Sequence, residues 1–473
     1  MKHLIRHGVG IWRNKFMSKH YFFIGIGGIG MGAIASLLLD KGARVSGSDL
    51  RDGRMVQQLR DKGAKISIGH DAGNVCDVDV VIYSSAIKED NPEYAFAKQN
   101  NFTLYQRAQM LAELMEDQFS ITVAGAHGKT TTTSMVAHLL TEAKVHPTCV
   151  VGGMLTGMNQ NAQLGGGRYF IAEVDESDGS FLHFKPKLSL ITNIDLEHLD
   201  HYNGWEDIEN IYTEFIGNTQ VNGQLLICGD DKRLKRLVDE SQKIYQTYGL
   251  GEGNDLRAEN IRQNGLSMTF NCIYRADDLG ELTINVPGEH NVLNALACIL
   301  CGLTLYIDFN MIVPALSIYG GVDRRFQKKA DVNDILVIDD YAHHPTEVKK
   351  TLQAARGLGA NKRVVAVFQP HRYSRLAYLE DDFCTALTNC DHLFITDIYA
   401  ASEKPMAEVS VEKFIKKLNA CGITSVEYKA MQDLVSALEG FVQPNDVVMI
   451  LGAGDITRIS DELSEVLVTK YKK

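Results

Sequence analysis

Residues Ile121 to Leu140 read ITVAGAHGKTTTTSMVAHLL. An apolar run of strand character stops at Gly125, a short turn carries Gly128 and Lys129, and a run of threonines opens a segment of helical periodicity. A strand that ends in a glycine turn and continues as a helix is the building unit of parallel sheets covered by helices, so this stretch places the chain among α/β proteins. The turn also has the parts of a phosphate cradle: backbone amides, a lysine for terminal phosphates and a hydroxyl for magnesium. It departs from the G-x-x-x-x-G-K-[ST] pattern, because only Ala126 and His127 separate Gly125 from Gly128.

A second glycine turn lies nearer the N-terminus, in FFIGIGGIGMG. Gly25, Gly27 and Gly30 form G-x-G-x-x-G between a strand and a helix, and Asp49 closes the next strand. That arrangement suits a pyrophosphate followed by a ribose, and any nucleotide diphosphate supplies both. The bland alternative is tight strand-to-helix packing with no ligand. Taken alone, the motif fits a nicotinamide-dependent oxidoreductase as well as any other user of a nucleotide.

With 473 residues the chain exceeds one ordinary core, and its 45% hydrophobic and 23% charged residues are those of a folded globular protein. Three α/β segments are expected: one of β-α-β rhythm over 18–106, a central one that carries the phosphate-cradle turn over 107–321 and one over 322–473 in which the β-α rhythm returns. Residues 1–17 read as a tail outside them, open to disorder. HYFFIGI, ARVSGSD, DVDVVIYSSA and FTLYQ supply strands to the first segment. SITVAG, YFIAEVD, KLSLITNID and GQLLICG do so in the second, where LSMTFNCIY and GELTINVPG read as antiparallel neighbours. DILVIDD, KRVVAVFQ, DHLFITD and DVVMILGAG serve the third.

A net charge of −11 argues against binding a nucleic-acid backbone, and no run approaches the roughly 20 apolar residues that cross a bilayer. The basic opening lacks the apolar segment and cleavage site of a secretory signal, so a cytoplasmic location is expected. Nine cysteines without a framework read as reduced thiols, and Cys298 and Cys301 as packed core rather than a metal or redox site.

Acids then gather at strand ends of the second segment: Glu173, Asp175, Glu176 and Asp178 after one strand, Asp195, Glu197, His198 and Asp200 after another. Parallel strands deliver such tips to the edge that holds the glycine turn, where magnesium needs only one or two protein ligands. A solvated acidic loop is the competing view. His290, Asn291 and Asn294 open a later helix, as caps or as readers of an adenine edge. Arg324 and Arg325 stand at the join to the third segment, one for a phosphate and one for a surface ion pair. In that segment Asp340, His343, His344, His371, Arg372 and Arg375 follow apolar strands, and the guanidinium groups suit a carboxylate.

GIGGIGMG, SGSD, SSAI, GAHGKTTTT, EVDESD, NIDLEHLD, GEHNVLNALA, DRRFQ, DDYAHHPTEV and QPHRYSR follow one another along nearly the whole chain from His20. In this set and order the sequence resembles the Mur ligase family, and GIGGIGMG favours its alanine-adding branch over the branch that recycles the whole tripeptide. The resemblance implies three α/β domains, an N-terminal Rossmann-like one over 18–106, a central P-loop ATPase-type one over 107–321 and a C-terminal Rossmann-like, amino-acid-binding one over 322–473, and an ADP-forming, amide-bond-forming ligase of peptidoglycan precursor synthesis. ATP would phosphorylate the lactyl carboxylate of UDP-N-acetylmuramate, and the amine of L-alanine would attack the acyl phosphate.

It also assigns roles residue by residue. Gly125, Ala126, His127, Gly128, Lys129, Thr130 and Thr131 would hold the ATP phosphates, with Asn291 on adenine and Arg325 on a phosphate. Thr130, Glu173 and His198 would serve Mg2+, two ions being implied, with Mn2+ as a substitute. Gly28, Ile29, Gly30, Asp49, His70 and Ser84 would face the UDP-sugar. His343, His371, Arg372 and Arg375 would meet the lactyl carboxylate and alanine; Lys129, Glu173, His198, His343, Arg372 and Arg375 would be the catalytic set. A monomer or a homodimer is implied, without a nucleic-acid or membrane partner.

Overall fold

The computed structural model describes residues 15–153, 161–198, 201–401 and 403–471. The chain divides into two compact units. One takes in the chain to Glu197 together with Trp205–Tyr248 and Ala297–Ile312; the other takes in His198–Gly204, Gly249–Leu296 and the chain from Val313 onward.

The first unit opens with β1 (His20–Ile24), α1 (Ile29–Asp40), β2 (Arg44–Asp49), α2 (Arg54–Asp61), β3 (Lys65–Ile68), β4 (Val80–Tyr83), α3 (Pro92–Gln99), β5 (Thr103–Gln106) and α4 (Arg107–Met115). The strands form a parallel sheet in the order β3-β2-β1-β4-β5. Every residue of β1 is buried, as expected of a central strand covered on both faces. Of the segment expected as a tail, residues 1–14 lie outside the described residues, whereas Phe16 is buried and Lys15 pairs with Glu113 at 3.2 Å and Glu116 at 3.4 Å.

The same unit continues through β6 (Phe119–Ala124), α5 (Lys129–Glu142), β7 (Thr148–Val150), β8 (Ala162–Gln163), β9 (Tyr169–Glu173), β10 (Leu188–Ile191), α6 (Trp205–Asn218), β11 (Gln224–Cys228), α7 (Lys232–Ser241) and β12 (Tyr245–Gly249). These strands run β12-β11-β10-β6-β9-β7-β8. β6 lies between β10 and β9 and is parallel to both, so the turn after it emerges between their C-terminal ends.

In the second unit β13 (Leu256–Asn264), β14 (Ser267–Tyr274) and β15 (Asp277–Ile284) form an antiparallel meander. Along the chain come α8 (Glu289–Thr304), whose residues from Ala297 belong to the first unit, and α9 (Phe309–Ser317), whose residues up to Ile312 do as well. Cys298 and Cys301 on α8 are fully buried free thiols, and burial pushes Cys301 up to about 12, as befits packed core. The last segment holds β16 (Gln327–Val332), β17 (Ile335–Asp340), α10 (Pro345–Arg356), β18 (Arg363–Phe368), α11 (Tyr373–Tyr378), α12 (Glu380–Leu387), β19 (His392–Ile395), α13 (Val411–Ala420), β20 (Val426–Tyr428), α14 (Leu434–Phe441), β21 (Asp446–Leu451) and α15 (Thr457–Tyr471).

Its sheet runs β16-β17-β21-β18-β19-β20, with only β16 antiparallel to its neighbour among the described pairings. The period-two alternation of β18 feeds two cores: Val364, Ala366 and Phe368 join one, Val365 and Val367 the other. Each apolar run read as a strand is one. β3, β7, β8, β12, β13, β16 and β20 are additional to those expected.

Candidate active site

The turn between β6 and α5 is built around the end of β10. Ala126 donates its backbone N–H to the Asn193 carbonyl at 3.2 Å, and His127 N–H donates to Asn193 Oδ1 at 2.9 Å. The Thr192 hydroxyl and the Asn193 amide both donate to the His127 carbonyl, at 2.6 and 2.9 Å. Gly125 has φ +128, and a Cβ there would stand 2.1 Å from Thr192 Oγ1. Only glycine fits this close approach, which lets the turn hug the strand end. Gly128, at φ 81, then starts α5 without a side-chain cap, leaving its first-turn amides for an anion.

Lys129 reaches across to Glu176 and touches both carboxylate oxygens at 2.8 Å. Its side chain is mostly enclosed and that of Glu176 nearly fully so. Burial alone would depress the lysine pKa, but the Glu176, Asp175 and Glu197 carboxylates outweigh it and hold the ammonium firmly charged. Thr130 Oγ1 donates to Glu173 Oε1 at 2.9 Å, while Gly152 N–H donates to Glu173 Oε2 at 2.7 Å. His127 Nε2 lies 2.8 Å from Asp195 Oδ2. Lys129, Thr130 and Glu173 therefore come together with Glu176, a partner that the sequence marks only as one member of an acidic cluster. Thr131 is buried in the first turn of α5. Asp200 lies outside the described residues, and His198 heads the short segment His198–Gly204 with φ 57.

At the first sheet, Gly28 caps α1 and Ile29 stands 51% exposed at the helix start. The Ile29 carbonyl accepts from Asn161 Nδ2 at 2.7 Å, which ties this turn to the edge strand β8. A Cβ at Gly30 would meet Arg107 Cδ at 3.1 Å. Asp49 serves the turn locally, since Oδ2 accepts from Gly27 N–H at 2.8 Å and Oδ1 from Arg51 N–H at 3.1 Å. It shapes the glycine turn and has further lone pairs for ligand hydroxyls. His70 lies 2.9 Å from the hydroxyl of Ser48, the residue before Asp49. Ser84 follows β4, with its carbonyl accepting from Ile87 N–H.

In the second unit, Asn291 donates to the Pro287 carbonyl at 2.7 Å and accepts from Asn294 Nδ2 at 3.1 Å. This is the helix-start role, and each end of the amide retains capacity for one more bond. Arg324 is committed to the Gly452 and Gly454 carbonyls, whereas Arg325 lies 3.4 Å from Glu347. Both guanidinium groups cover the Tyr341 ring.

The C-terminal ends of β17 and β18 bring the expected histidines together. The His343 and His371 rings are 5.5 Å apart, and Tyr399 stacks on His371, 5.5 Å away and 10° from parallel. Arg375 Nη1 lies 3.0 Å from His371 Nδ1. A guanidinium only donates, so Nδ1 is the acceptor and the neutral ring carries its proton on Nε2. Arg372 takes φ 70 at the start of α11, with its N–H bonded to the Tyr399 carbonyl at 2.8 Å. Asp340 accepts from Phe326 and Ala342 N–H groups, both at 2.7 Å, and burial pushes it up to about 6.

Burial first, then the positive surroundings of His343, Arg375, Arg372 and Arg324, push His371 down to about 3. Between the unfolded value near 6.5 and that value the unfolded chain binds a proton that the folded chain refuses. The stability from a neutral His371 is therefore complete above about pH 6.5 and is lost as pH falls through this window. His371→Gln is expected to lose roughly 2 kcal/mol less than the parent between pH 7 and 4.5, after allowance for solvent screening, as read from denaturant midpoints. Parallel losses in the two proteins would contradict a neutral His371.

Comparison with known proteins gives the same frame. The chain matches the family models "Mur ligase family, catalytic domain" over 20–119, "Mur ligase middle domain" over 123–302 and "Mur ligase, glutamate ligase domain" over 324–454. It is 46% identical to the UDP-N-acetylmuramate–L-alanine ligase of Trichlorobacter lovleyi over 93% of this chain and 97% of that one. With the enzyme of the same name from Pelobacter propionicus it shares 45% identity over 95% and 98%. Among solved structures, the UDP-N-acetylmuramate-alanine ligase of Thermotoga maritima superimposes with a TM-score of 0.82 at 29% identity, covering 96% of this chain and all of that one. A murein peptide ligase from Psychrobacter arcticus, at 23% identity and TM-score 0.69 over 95% and 98%, shares the fold.

Proposed function

The chain belongs to the Mur ligase family, and from that premise we propose that it is an ATP-dependent ligase joining L-alanine to the lactyl carboxylate of UDP-N-acetylmuramate. The observation that carries this reading is the enclosed Lys129 at a glycine turn opening a helix, in a chain that relatives named for alanine addition match over 93% or more of its length. The oxidoreductase suggested by the first glycine turn alone finds no support in those relatives.

A carboxylate is a poor electrophile, and conversion to an acyl phosphate supplies a leaving group. Phosphoryl transfer demands mainly positioning and charge neutralisation. The open first turn of α5 and Lys129 meet that demand for ATP phosphates, with Glu176 holding the ammonium in place. The donors at Thr130 and Glu173 are hard oxygens only 2.9 Å apart, a set suited to Mg2+, and His198 is the further ligand implied by the family. Bound there, magnesium would neutralise phosphate charge. In the second unit, neutral His371 presents an Nε2–H donor, and Arg375 and Arg372 supply positive charge for a carboxylate. His343, held by the Tyr341 carbonyl at 3.0 Å, completes that group.

Phosphate release from ATP is expected only when UDP-N-acetylmuramate and L-alanine are both present, with a product heavier than the sugar nucleotide by one alanyl residue. Fast turnover without alanine, or a product formed only with the tripeptide, would overturn the assignment.

A further inference from the structure

Glu93 is a fully buried acid on α3 whose side chain the reaction itself does not use. Among the described residues no lysine or arginine pairs with it; polar donors from β2 and from the segment that follows β3 surround it instead. Ser48 Oγ donates to Oε2 at 2.5 Å, and His70 Nδ1 lies 2.8 Å from the same oxygen. Asn74 Nδ2 donates to Oε1 at 2.7 Å, with Asp71 N–H at 3.4 Å. Burying a carboxylate is costly unless its lone pairs are filled, and here both oxygens are.

This arrangement fixes a proton. Carboxylate oxygens only accept, so His70 Nδ1 is the donor, and the Ser48 oxygen, 2.9 Å away, accepts from the same N–H. A neutral His70 is then the Nδ1–H tautomer, with a lone pair on Nε2. Nothing among the described residues pairs with that Nε2. Ser48 precedes Asp49, whose carboxylate shapes the glycine turn through Gly27, so the buried acid and the nucleotide-facing loop share one strand end.

We propose that Glu93 is a positioning residue for the UDP-sugar: it holds His70 so that Nε2 accepts a hydrogen bond from a donor on the uridine half, either a ribose hydroxyl or the imide N–H of uracil. The inference rests on reading the first domain as the UDP-sugar site.

Glu93→Gln tests it with an isosteric change. Asn74 Nδ2 and Asp71 N–H can only donate, so the new amide oxygen takes their side and its NH2 turns toward Ser48 and His70. His70 Nδ1 must then accept, and the proton moves to Nε2, donor facing donor at the ligand. Imidazole 15N shifts are expected to show Nδ1–H in the parent and Nε2–H in the variant. KM for UDP-N-acetylmuramate should rise about tenfold, with KM for ATP and L-alanine and the saturated kcat unchanged. CDP, which lacks the imide N–H, and the 2′-deoxy and 3′-deoxy forms of UDP separate the donors: one of the three should bind the parent about tenfold more weakly than UDP, and the gap should vanish in the variant.

An Nδ1 without a proton in the parent overturns the proposal, whether or not the variant folds. So does a tautomer change that leaves UDP binding unaltered. A parent that binds neither UDP nor UDP-N-acetylmuramate would instead remove the functional reading beneath it.

Discussion

Lys129→Ala is expected to cut ATP-driven phosphate release by about 10³- to 10⁴-fold, equivalent to roughly 4–5.5 kcal/mol of transition-state stabilisation. The lysine is enclosed and its ammonium is held charged, so no exposed side chain can replace it. The same enclosure complicates the simple variant. Truncation leaves the buried Glu176 without its bidentate partner and near Asp175 and Glu197, and an uncompensated buried charge costs about 3–5 kcal/mol. The single variant should therefore melt earlier as well as lose activity. Lys129→Met combined with Glu176→Gln removes both charges and should recover most of the lost stability while remaining inactive. Calorimetry and coupled phosphate assays separate the two effects. Recovery of even a few per cent of parental turnover in the double variant would show that Lys129 does not carry the phosphate charge.

Glu176 marks the limit of what the sequence made legible. Strand, glycine turn, Lys129 and helix could be read because β6 is an unbroken apolar run and α5 opens on threonines. Four acids in EVDESD offered no way to tell the lysine's partner from solvated neighbours, since that depends on how the chain turns after β9. Thr192 lies just outside NIDLEHLD and Asn193 opens it, but the motif draws attention to its acids and histidine; only the side-chain and carbonyl contacts of Thr192 and Asn193 with the glycine turn reveal that they hold it in shape. Glu93 was hidden similarly. In DNPEYAFAKQN an acid after proline reads as first-turn charge on an exposed helix, yet it is buried, because Ser48, His70 and Asn74 converge on it from distant positions. Among the strands, β13 escaped notice because LRAENIRQN is half exposed and polar, and β7 and β8 because they are too short to show alternation. The histidine and arginine group was legible as a group, since its members follow apolar strands that must end at one sheet edge. Its protonation was not: the neutral state and tautomer of His371 come from burial and from the guanidinium one helical turn along.

That guanidinium supports the second large effect. Arg375→Ala is expected to lower kcat/KM for L-alanine by about 10²- to 10³-fold, the usual cost of removing a cation paired with a carboxylate in an enclosed site. Arg375→Lys should recover only part of this, because an ammonium keeps the charge but lacks the planar fork. Arg375 also acts on its neighbour, because its Nη1 bonds to His371 Nδ1 at 3.0 Å and its charge helps to hold the imidazole neutral. After truncation, His371 should take up a proton at higher pH, moving from about 3 toward the ordinary histidine value, and its Nε2–H tautomer is no longer enforced. The acid limb of the pH profile of kcat/KM for L-alanine should accordingly shift upward, with KM for ATP unchanged. A residue that merely supported α11 would not produce that pairing of a substrate-selective loss with a displaced acid limb. Equal losses for ATP and alanine, or an unmoved limb, would assign Arg375 to the scaffold and leave carboxylate binding to Arg372.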